Sequence, residues 1–183
     1  MKFLRDDEFI RGKTPMTKFP IRVLSLALLE LEQGEVFLDL GAGTGSISIE
    51  AALQGARVLA IEKEAEALEL IRANAGKFGV EIKLFNGRAP EALEDTRIDK
   101  CFIGGSGGGL VEIFDYLDRN LRPGGIVCAN FITLKNLNQM QELLKERAYR
   151  DIEVQLVQVS NQDRLGLLRA ENPIFLVRGV KGD

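Results

Sequence analysis

The chain has 183 residues, the length of one domain, with a net charge of −3 and 45% hydrophobic residues, a balance typical of globular proteins that need no disulfide or metal crosslink. A net negative charge gives no general attraction to nucleic acid, and no stretch approaches the roughly 20 apolar residues of a membrane helix. The amino terminus turns acidic at Asp6, too early for a signal peptide, so we expect a cytoplasmic protein.

Apolar periodicity predicts alternating strands and helices in one domain, residues 1–183, of which residues 1–34 form an amino-terminal arm and helix. In chain order we predict a helix at Phe19–Leu31, a strand at Val36–Leu40, a helix at Ser46–Leu53, a strand at Arg57–Glu62, a helix at Glu64–Phe78, strands at Glu81–Phe85 and Asp99–Ile103, a helix at Leu110–Leu121, a turn at Arg122–Gly125, a strand at Ile126–Asn130, a helix at Leu134–Arg147, and strands at Ile152–Val159 and Ile174–Arg178.

This alternation predicts an α/β fold, a mainly parallel sheet of seven strands with helices on both faces. The last two strands have no helix between them, so we expect a carboxyl-terminal hairpin that makes one strand antiparallel. A seven-stranded sheet with such a hairpin resembles the Rossmann-like class I methyltransferase fold.

A glycine loop follows the first predicted strand, with the sequence Asp39-Leu-Gly-Ala-Gly-Thr-Gly45. Glycines let the backbone turn tightly and approach a ligand, and the helix that follows offers unpaired N–H groups to a carboxylate. Glu62 ends the second strand, where a carboxylate can accept both hydroxyls of a ribose. Asp39 suits a ligand that carries an ammonium group, and S-adenosylmethionine has an ammonium, a carboxylate and a ribose.

A nicotinamide dinucleotide is the main competing ligand for this loop. Its fingerprint is Gly-x-Gly-x-x-Gly, whereas here the third glycine comes one residue early and Ser46 takes its place. We therefore predict S-adenosylmethionine, with a border to the adenine supplied by the turn after the third strand, Asn86-Gly-Arg-Ala-Pro90.

The residues after the fourth predicted strand are expected to face the transferred methyl group. They read Ile103-Gly-Gly-Ser-Gly-Gly-Gly109, without the Asn/Asp-Pro-Pro-Tyr/Phe motif of enzymes that methylate base amines. A surface with few side chains suits a large flat ligand, and we predict that Gly104, Gly105, Ser106 and Gly107 position the substrate.

Cysteine and histidine usage limits the chemistry further. Cys101 and Cys128 lie in separate apolar runs without a Cys-x-x-Cys pair, so we expect buried side chains and no protein-bound metal. The chain has no histidine, so its mechanism must do without imidazole.

Several segments together resemble the decarboxylating precorrin methyltransferases of cobalamin biosynthesis, over nearly the whole chain. The segments are Asp7–Arg11, Pro15–Lys18 with Ile21-Arg22, Asp39–Gly45, Ala89–Leu93, Phe102–Gly108 and Ala170–Phe175. The resemblance implies methylation of C-15 of precorrin-6B or cobalt-precorrin-6B with loss of carbon dioxide from the acetate at C-12. It also implies a stand-alone enzyme and a homotetramer. Whether the macrocycle already contains cobalt stays open, and the metal would belong to the substrate because the sequence offers no ligand cluster for one.

The resemblance and the loop chemistry together give a set of expected site residues. Those expected to bind S-adenosylmethionine are Thr17, Asp39, Gly41, Ala42, Gly43, Thr44, Gly45, Glu62, Lys63, Arg88 and Ala89. Arg88 departs from the family, which often has an acidic residue there. The substrate carries many carboxylates, which call for cations; the candidates are Arg11, Lys18, Arg22 and Lys135, with Lys13, Arg164 and Arg169 as further positions.

Two other functions stay open. The chain could methylate another small molecule with S-adenosylmethionine, or it could bind that ligand without catalysis. Methyl transfer itself requires alignment of the two reactants, which can lower a barrier by about 7–11 kcal/mol. The conjugated macrocycle can serve as the electron sink for decarboxylation.

Overall fold

The computed structural model describes residues 2–105 and 107–183, so the predicted role of Ser106 falls outside the described residues. The elements are a 3₁₀ turn at Asp6–Glu8, α1 at Phe19–Leu29, β1 at Val36–Leu40, α2 at Ser46–Leu53, β2 at Arg57–Glu62, α3 at Ala65–Phe78, β3 at Ile82–Asn86, β4 at Ile98–Ile103, α4 at Leu110–Asn120, β5 at Leu121–Phe131, α5 at Leu134–Glu146, β6 at Arg150–Val157, β7 at Ser160–Gln162, β8 at Leu168–Ala170 and β9 at Ile174–Val180.

The main sheet has seven strands in the order β3-β2-β1-β4-β5-β9-β6. The first five strands are parallel, while β9 pairs antiparallel with both β5 and β6. The predicted α/β fold and its single antiparallel strand are therefore confirmed. The strand order reverses between β1 and β4, and the carboxyl ends of strands on either side of such a reversal form a ligand-binding crevice.

The core covers both faces of the sheet. One apolar cluster packs α4 and α5 against it through Phe114, Leu117 and Met140, while the other packs α1 and α2 through Leu26 and Ile47. Strands β1, β2 and β4 are almost entirely buried, and strands buried on both faces read as continuous apolar runs, which is why their positions follow from the sequence. The two layers hold the strand ends at fixed positions relative to one another.

The predicted turn at Arg122–Gly125 is wrong, because this segment belongs to β5. Leu121 pairs with Ile98, the register then shifts, and Ile126 pairs with Lys100. Such a β-bulge accommodates proline and glycine inside a paired strand. The small β7–β8 hairpin, with Ser160 opposite Ala170, was not predicted from the sequence. Its strands are exposed and only three residues long, which leaves little apolar pattern to detect.

Candidate functional site

The glycine loop, Gly41–Gly45, connects β1 to α2 at the carboxyl edge of the sheet. Gly41, Gly43 and Gly45 all have positive φ, at 72°, 57° and 78°, a region that residues with a Cβ rarely adopt. A Cβ built on Gly41 would lie 2.9 Å from the carbonyl oxygen of Gly105. The loops after β1 and β4 thus touch through their backbones, so a side chain at this position would separate them.

Glu62 lies at the end of β2 and is 9% exposed. Its Oε2 accepts a hydrogen bond from the backbone N–H of Gly43 at 2.9 Å, and its Oε1 accepts from Lys63 N at 2.7 Å and Glu64 N at 3.0 Å. A carboxylate offers about four acceptor positions, so capacity remains for a ligand hydroxyl. Glu62 therefore both orders the glycine loop and faces the crevice.

Asp39 has a buried carboxyl group, is 1% exposed and is the next-to-last residue of β1, just before the loop. Burial raises its pKa to about 7; hydrogen bonding from Ser48 opposes this shift and the charge of Glu62 adds to it. Ser48 Oγ donates to Asp39 Oδ2. A cationic ligand group next to Asp39 would favour its ionised form and so offset the burial.

Two adjoining cavities open at this edge and share Gly41, Glu62 and Gly105. The wide cavity has a volume of about 670 Å³, and its lining includes Thr17, Lys18, Asp39, Ala42, Gly43, Phe102, Gly104, Asn130, Asn136 and Asn172. The narrow cavity has a volume of about 270 Å³ and is lined further by Ile61, Lys63, Gly87, Arg88, Ala89, Glu91, Gly107 and Gly109. Both volumes are those of small-molecule sites or parts of them.

The amino-terminal arm, residues 2–18, forms one wall of the wide cavity. Asn74 on α3 is fully buried and fixes this arm. Its Oδ1 accepts from Ile10 N at 2.8 Å, while its Nδ2 donates to Ile10 O at 3.1 Å and to Thr44 O at 3.2 Å. One side chain therefore joins the arm to the glycine loop, so both sides of the cavity have a common support.

The structure brings most of the expected ligand-binding residues to the two cavities, namely Thr17, Asp39, Gly41, Ala42, Gly43, Glu62, Lys63, Arg88 and Ala89, with Gly104, Gly105 and Gly107. Thr44 and Gly45 lie behind the loop instead. Thr44 is 1% exposed, and a Cβ on Gly45 would lie 3.1 Å from Ile71 Cγ1. These two residues shape the loop from the core side rather than line a cavity.

The expected contact between Arg22 and substrate is wrong. The side chain is fully buried and lies against Asp6 at 3.0 Å and Glu50 at 3.4 Å. It also donates to Leu4 O at 2.6 Å and to Thr17 O at 2.8 Å. The guanidinium of Arg22 thus anchors the amino-terminal arm to the core. Its N–H groups are already paired with groups of the fold and do not face a cavity.

The other expected cations are distributed unevenly. Lys18 lines the wide cavity. Arg11 and Lys135 are exposed and lie outside the lining of the two cavities as the structure describes it. Lys13 is exposed beside Glu66, which accepts from its backbone N–H at 2.9 Å, and Arg169 pairs with Asp163 on the β7–β8 hairpin.

Several lining residues were missed by sequence reasoning, chiefly Asn130, Asn136 and Asn172. Asn130 stands near the end of buried strand β5, the position in its strand that Asp39 and Glu62 occupy in theirs. A rule that marks the polar residue ending each buried strand would have found it. Asn172 lies in a segment that the family resemblance singled out without giving it a role.

No helix in residues 2–105 and 107–183 is long and apolar enough to cross a membrane. Within the same ranges, no group of three or more Cys, Asp or Glu side chains is arranged to hold a metal ion.

Comparison with known proteins agrees with this geometry. Residues 8–179 match the family described as the precorrin methyltransferase domain. The chain belongs to this family. A probable cobalt-precorrin-6B C(15)-methyltransferase (decarboxylating) from Sulfurisphaera tokodaii is 39% identical, and the alignment covers 96% of each chain.

Two solved structures are similar to this protein over nearly its full length. The precorrin-6y C5,15-methyltransferase of Geobacter metallireducens is 36% identical with a TM-score of 0.92, covering 98% of this chain and 97% of the other. The precorrin 8W decarboxylase of Methanobacterium thermoautotrophicum is 31% identical with a TM-score of 0.88, covering 96% and 98%. The fold is that of the class I methyltransferases that use S-adenosylmethionine.

Proposed function

We propose that this protein transfers a methyl group from S-adenosylmethionine to C-15 of cobalt-precorrin-6B, or of precorrin-6B, and removes carbon dioxide from the acetate at C-12. The observation that carries this proposal is the pair of adjoining cavities that meet at Gly41, Glu62 and Gly105. The narrow cavity holds polar groups that suit an adenosine, and the wide cavity is large enough for part of a macrocycle. The near full-length likeness to decarboxylating C(15)-methyltransferases supports the choice of substrate.

The residues around the glycine loop fit S-adenosylmethionine. Glu62 has an acceptor position left for a ribose hydroxyl, Arg88 and Ala89 border the narrow cavity where an adenine would lie, and the first turn of α2 offers N–H groups to a carboxylate. The buried carboxyl of Asp39 provides the partner for an ammonium group. When bound, this cosubstrate supplies a methyl group on a sulfonium.

The chain contributes alignment and exclusion of water. Contact between the loops that carry Gly41 and Gly105 fixes the position where the two cavities meet. Phe102 and Ile47 cover the sheet side of the wide cavity with apolar surface. A substrate held between them approaches the methyl group from one direction, and this restriction of approach is the main requirement of a displacement.

Substrate carboxylates are proposed to meet cations at the edges of the wide cavity. Lys18 lies in its wall, while Arg11 and Lys135 are exposed and free to turn towards carboxylates that project from the macrocycle. In this role they would contribute through solvent-screened attraction, worth about 0–1 kcal/mol each. Alanine at either exposed position should therefore weaken binding only slightly.

We also propose a cytoplasmic homotetramer, in line with the family resemblance. Leu156 on β6 and Leu165, Leu167 and Leu168 around the β7–β8 hairpin are all more than half exposed. Clustered exposed leucines are typical of a surface that packs against another subunit. Light scattering at micromolar concentration tests this: a monomeric mass would contradict the assembly without affecting the proposed reaction.

The reaction is tested by incubating the protein with S-adenosylmethionine and cobalt-precorrin-6B and determining the product mass. We expect the gain of one methyl and the loss of one carbon dioxide. Methyl gain alone would reduce the activity to simple methylation. Tight S-adenosylmethionine binding with no reaction of either precorrin would favour another small-molecule substrate.

The cosubstrate site is tested separately by calorimetric titration. Glu62→Ala should weaken S-adenosylmethionine binding about ten- to a hundredfold, because the variant loses both the ribose acceptor and the bonds that order Gly43. The exposed Glu69 on α3 provides the matched control, and Glu69→Ala should bind as the wild type does. Equal affinity of the two variants would show that the ribose lies elsewhere.

A further inference from the structure

The far wall of the wide cavity, formed by the turn from β5 to α5 and by the residues around the ends of β6 and β9, has no lysine or arginine among its described residues, and its one charged residue is Glu171. Asn130, Asn136 and Asn172 supply its amides, beside the apolar Phe131, Ile132 and Val157. The one lysine or arginine among the described lining residues is Lys18, which belongs to the amino-terminal arm. The hydrogen-bond donors that this wall offers to a carboxylate are therefore uncharged amides.

Asn130 lies close to the point where methyl transfer is expected. In the β4–β5 register, Ile103 pairs with Ala129, so Asn130 follows beside Gly104, the next residue of the other strand. Gly104 N in turn donates to Leu40 O at 2.9 Å. Asn130 shares its side of β5 with Cys128, two residues before it, whose side chain packs in the α1–α2 layer.

Asn136 lies in the first turn of α5, three residues after the capping residue Thr133. Within the described part of the chain, the side-chain amides of Asn130 and Asn136 have no hydrogen-bond partner. Each amide therefore has two N–H donors and a carbonyl oxygen free for a ligand in the cavity. Two free amides on one wall can orient a carboxylate through both of its oxygens.

Neutral donors suit a carboxylate that has to leave as carbon dioxide. An arginine or lysine would form a charge-assisted pair and stabilise the carboxylate before reaction. An apolar wall withdraws water and disfavours the ionised form, while amide donors still fix its direction. The amides of this wall can thus orient a carboxylate without stabilising it so strongly that decarboxylation is slowed.

We propose that Asn130 and Asn136 hold the acetate carboxylate that is lost, an assignment that rests on the proposed function. The bond between the side-chain methylene and the carboxyl carbon breaks, its electron pair enters the conjugated macrocycle, and carbon dioxide leaves. A proton from water then replaces it on the methylene carbon, giving a methyl group. The proton released when the ring carbon is methylated balances the one taken up.

The test measures two products and binding in the full-length protein. Asn130→Ala and Asn136→Ala are incubated with S-adenosylmethionine and cobalt-precorrin-6B, and mass spectrometry separates the methylated product that keeps its carboxylate from the one that lost it. Binding of cobalt-precorrin-6B alone is followed by its visible absorbance. Asn138 is exposed on α5, and Asn138→Ala is the matched control.

Each cavity variant should slow decarboxylation about ten- to a hundredfold, so that the methylated, undecarboxylated product accumulates, while the control matches the wild type. Asn130→Asp, which keeps the shape but repels a carboxylate, should also weaken cobalt-precorrin-6B binding. Unchanged product ratios in both alanine variants, or full activity of Asn130→Asp, would overturn the assignment. A wild type that neither methylates nor decarboxylates would instead refute the proposed function.

Discussion

Asn74 supports a specific prediction about stability, because it is the buried link between the amino-terminal arm and the glycine loop. Asn74→Ala removes three hydrogen bonds, two to the backbone of Ile10 and one to Thr44 O. At a net value of about 0.5–1.5 kcal/mol each, their loss should lower the free energy of unfolding by about 2–4 kcal/mol. That is a large fraction of the 5–15 kcal/mol that is typical of a domain.

Urea unfolding monitored by circular dichroism measures this change. Arg72 is exposed on the same helix, and Arg72→Ala should stay within about 0.5 kcal/mol of the wild type. Asn74→Ala should also weaken S-adenosylmethionine binding, since Thr44 loses its support and the arm is released. If Asn74→Ala were as stable as Arg72→Ala and bound S-adenosylmethionine normally, the arm and the loop would not depend on this side chain.

Three further predictions concern Arg22, Asp39 and the glycines after β4. Arg22→Met should destabilise the fold by about 3–5 kcal/mol in denaturant titrations, because Glu50 stays buried without its cation; an unchanged midpoint with lost substrate binding would restore a direct role. Burial raises the pKa of Asp39 from 3.8 to about 7, so its contribution to stability is present below the lower value and lost as pH rises towards the higher. Asp39→Asn should therefore gain up to about 1.4 kcal/mol per pH unit over the wild type in that window, and a difference independent of pH would contradict this. Gly104→Ala should lower the melting temperature, because the added Cβ would lie 3.0 Å from Gly41 O. Gly105→Ala has no described atom within 4 Å of its Cβ, so it should slow methyl transfer without a change in melting temperature. Equal melting temperatures of the two variants would refute the contact between Gly104 and Gly41.

The strands and helices around the glycine loop followed from the sequence because their signals are local. The bounds of β1, α2 and β2 were predicted to the residue. Buried parallel strands are apolar on both faces, and glycines mark where they turn into loops. Errors occurred where neighbours override the local pattern, as at Pro123, which remains within β5 because a bulge absorbs it.

The side-chain environment of the site could be predicted only in part. Asp39 was found because it lies at the end of a buried strand just before the glycine loop, and Glu62 because it ends the next buried strand. Asn130 also ends a predicted buried strand and was missed, since no glycine loop adjoins it. Arg22 was assigned to substrate from its segment, although its four partners lie between 5 and 28 residues away in the chain.

The sequence by itself determined the alternating α/β architecture, the loop that suits S-adenosylmethionine and the likeness to the precorrin methyltransferases. Only the tertiary structure decided that β9 lies between β5 and β6, that Asn74 ties the arm to the loop across 64 residues, and that amides rather than cations line the far wall of the wide cavity. Strand and turn signals arise from neighbouring residues. Burial, charge pairing and cavity lining depend on which distant residues the folded chain brings together.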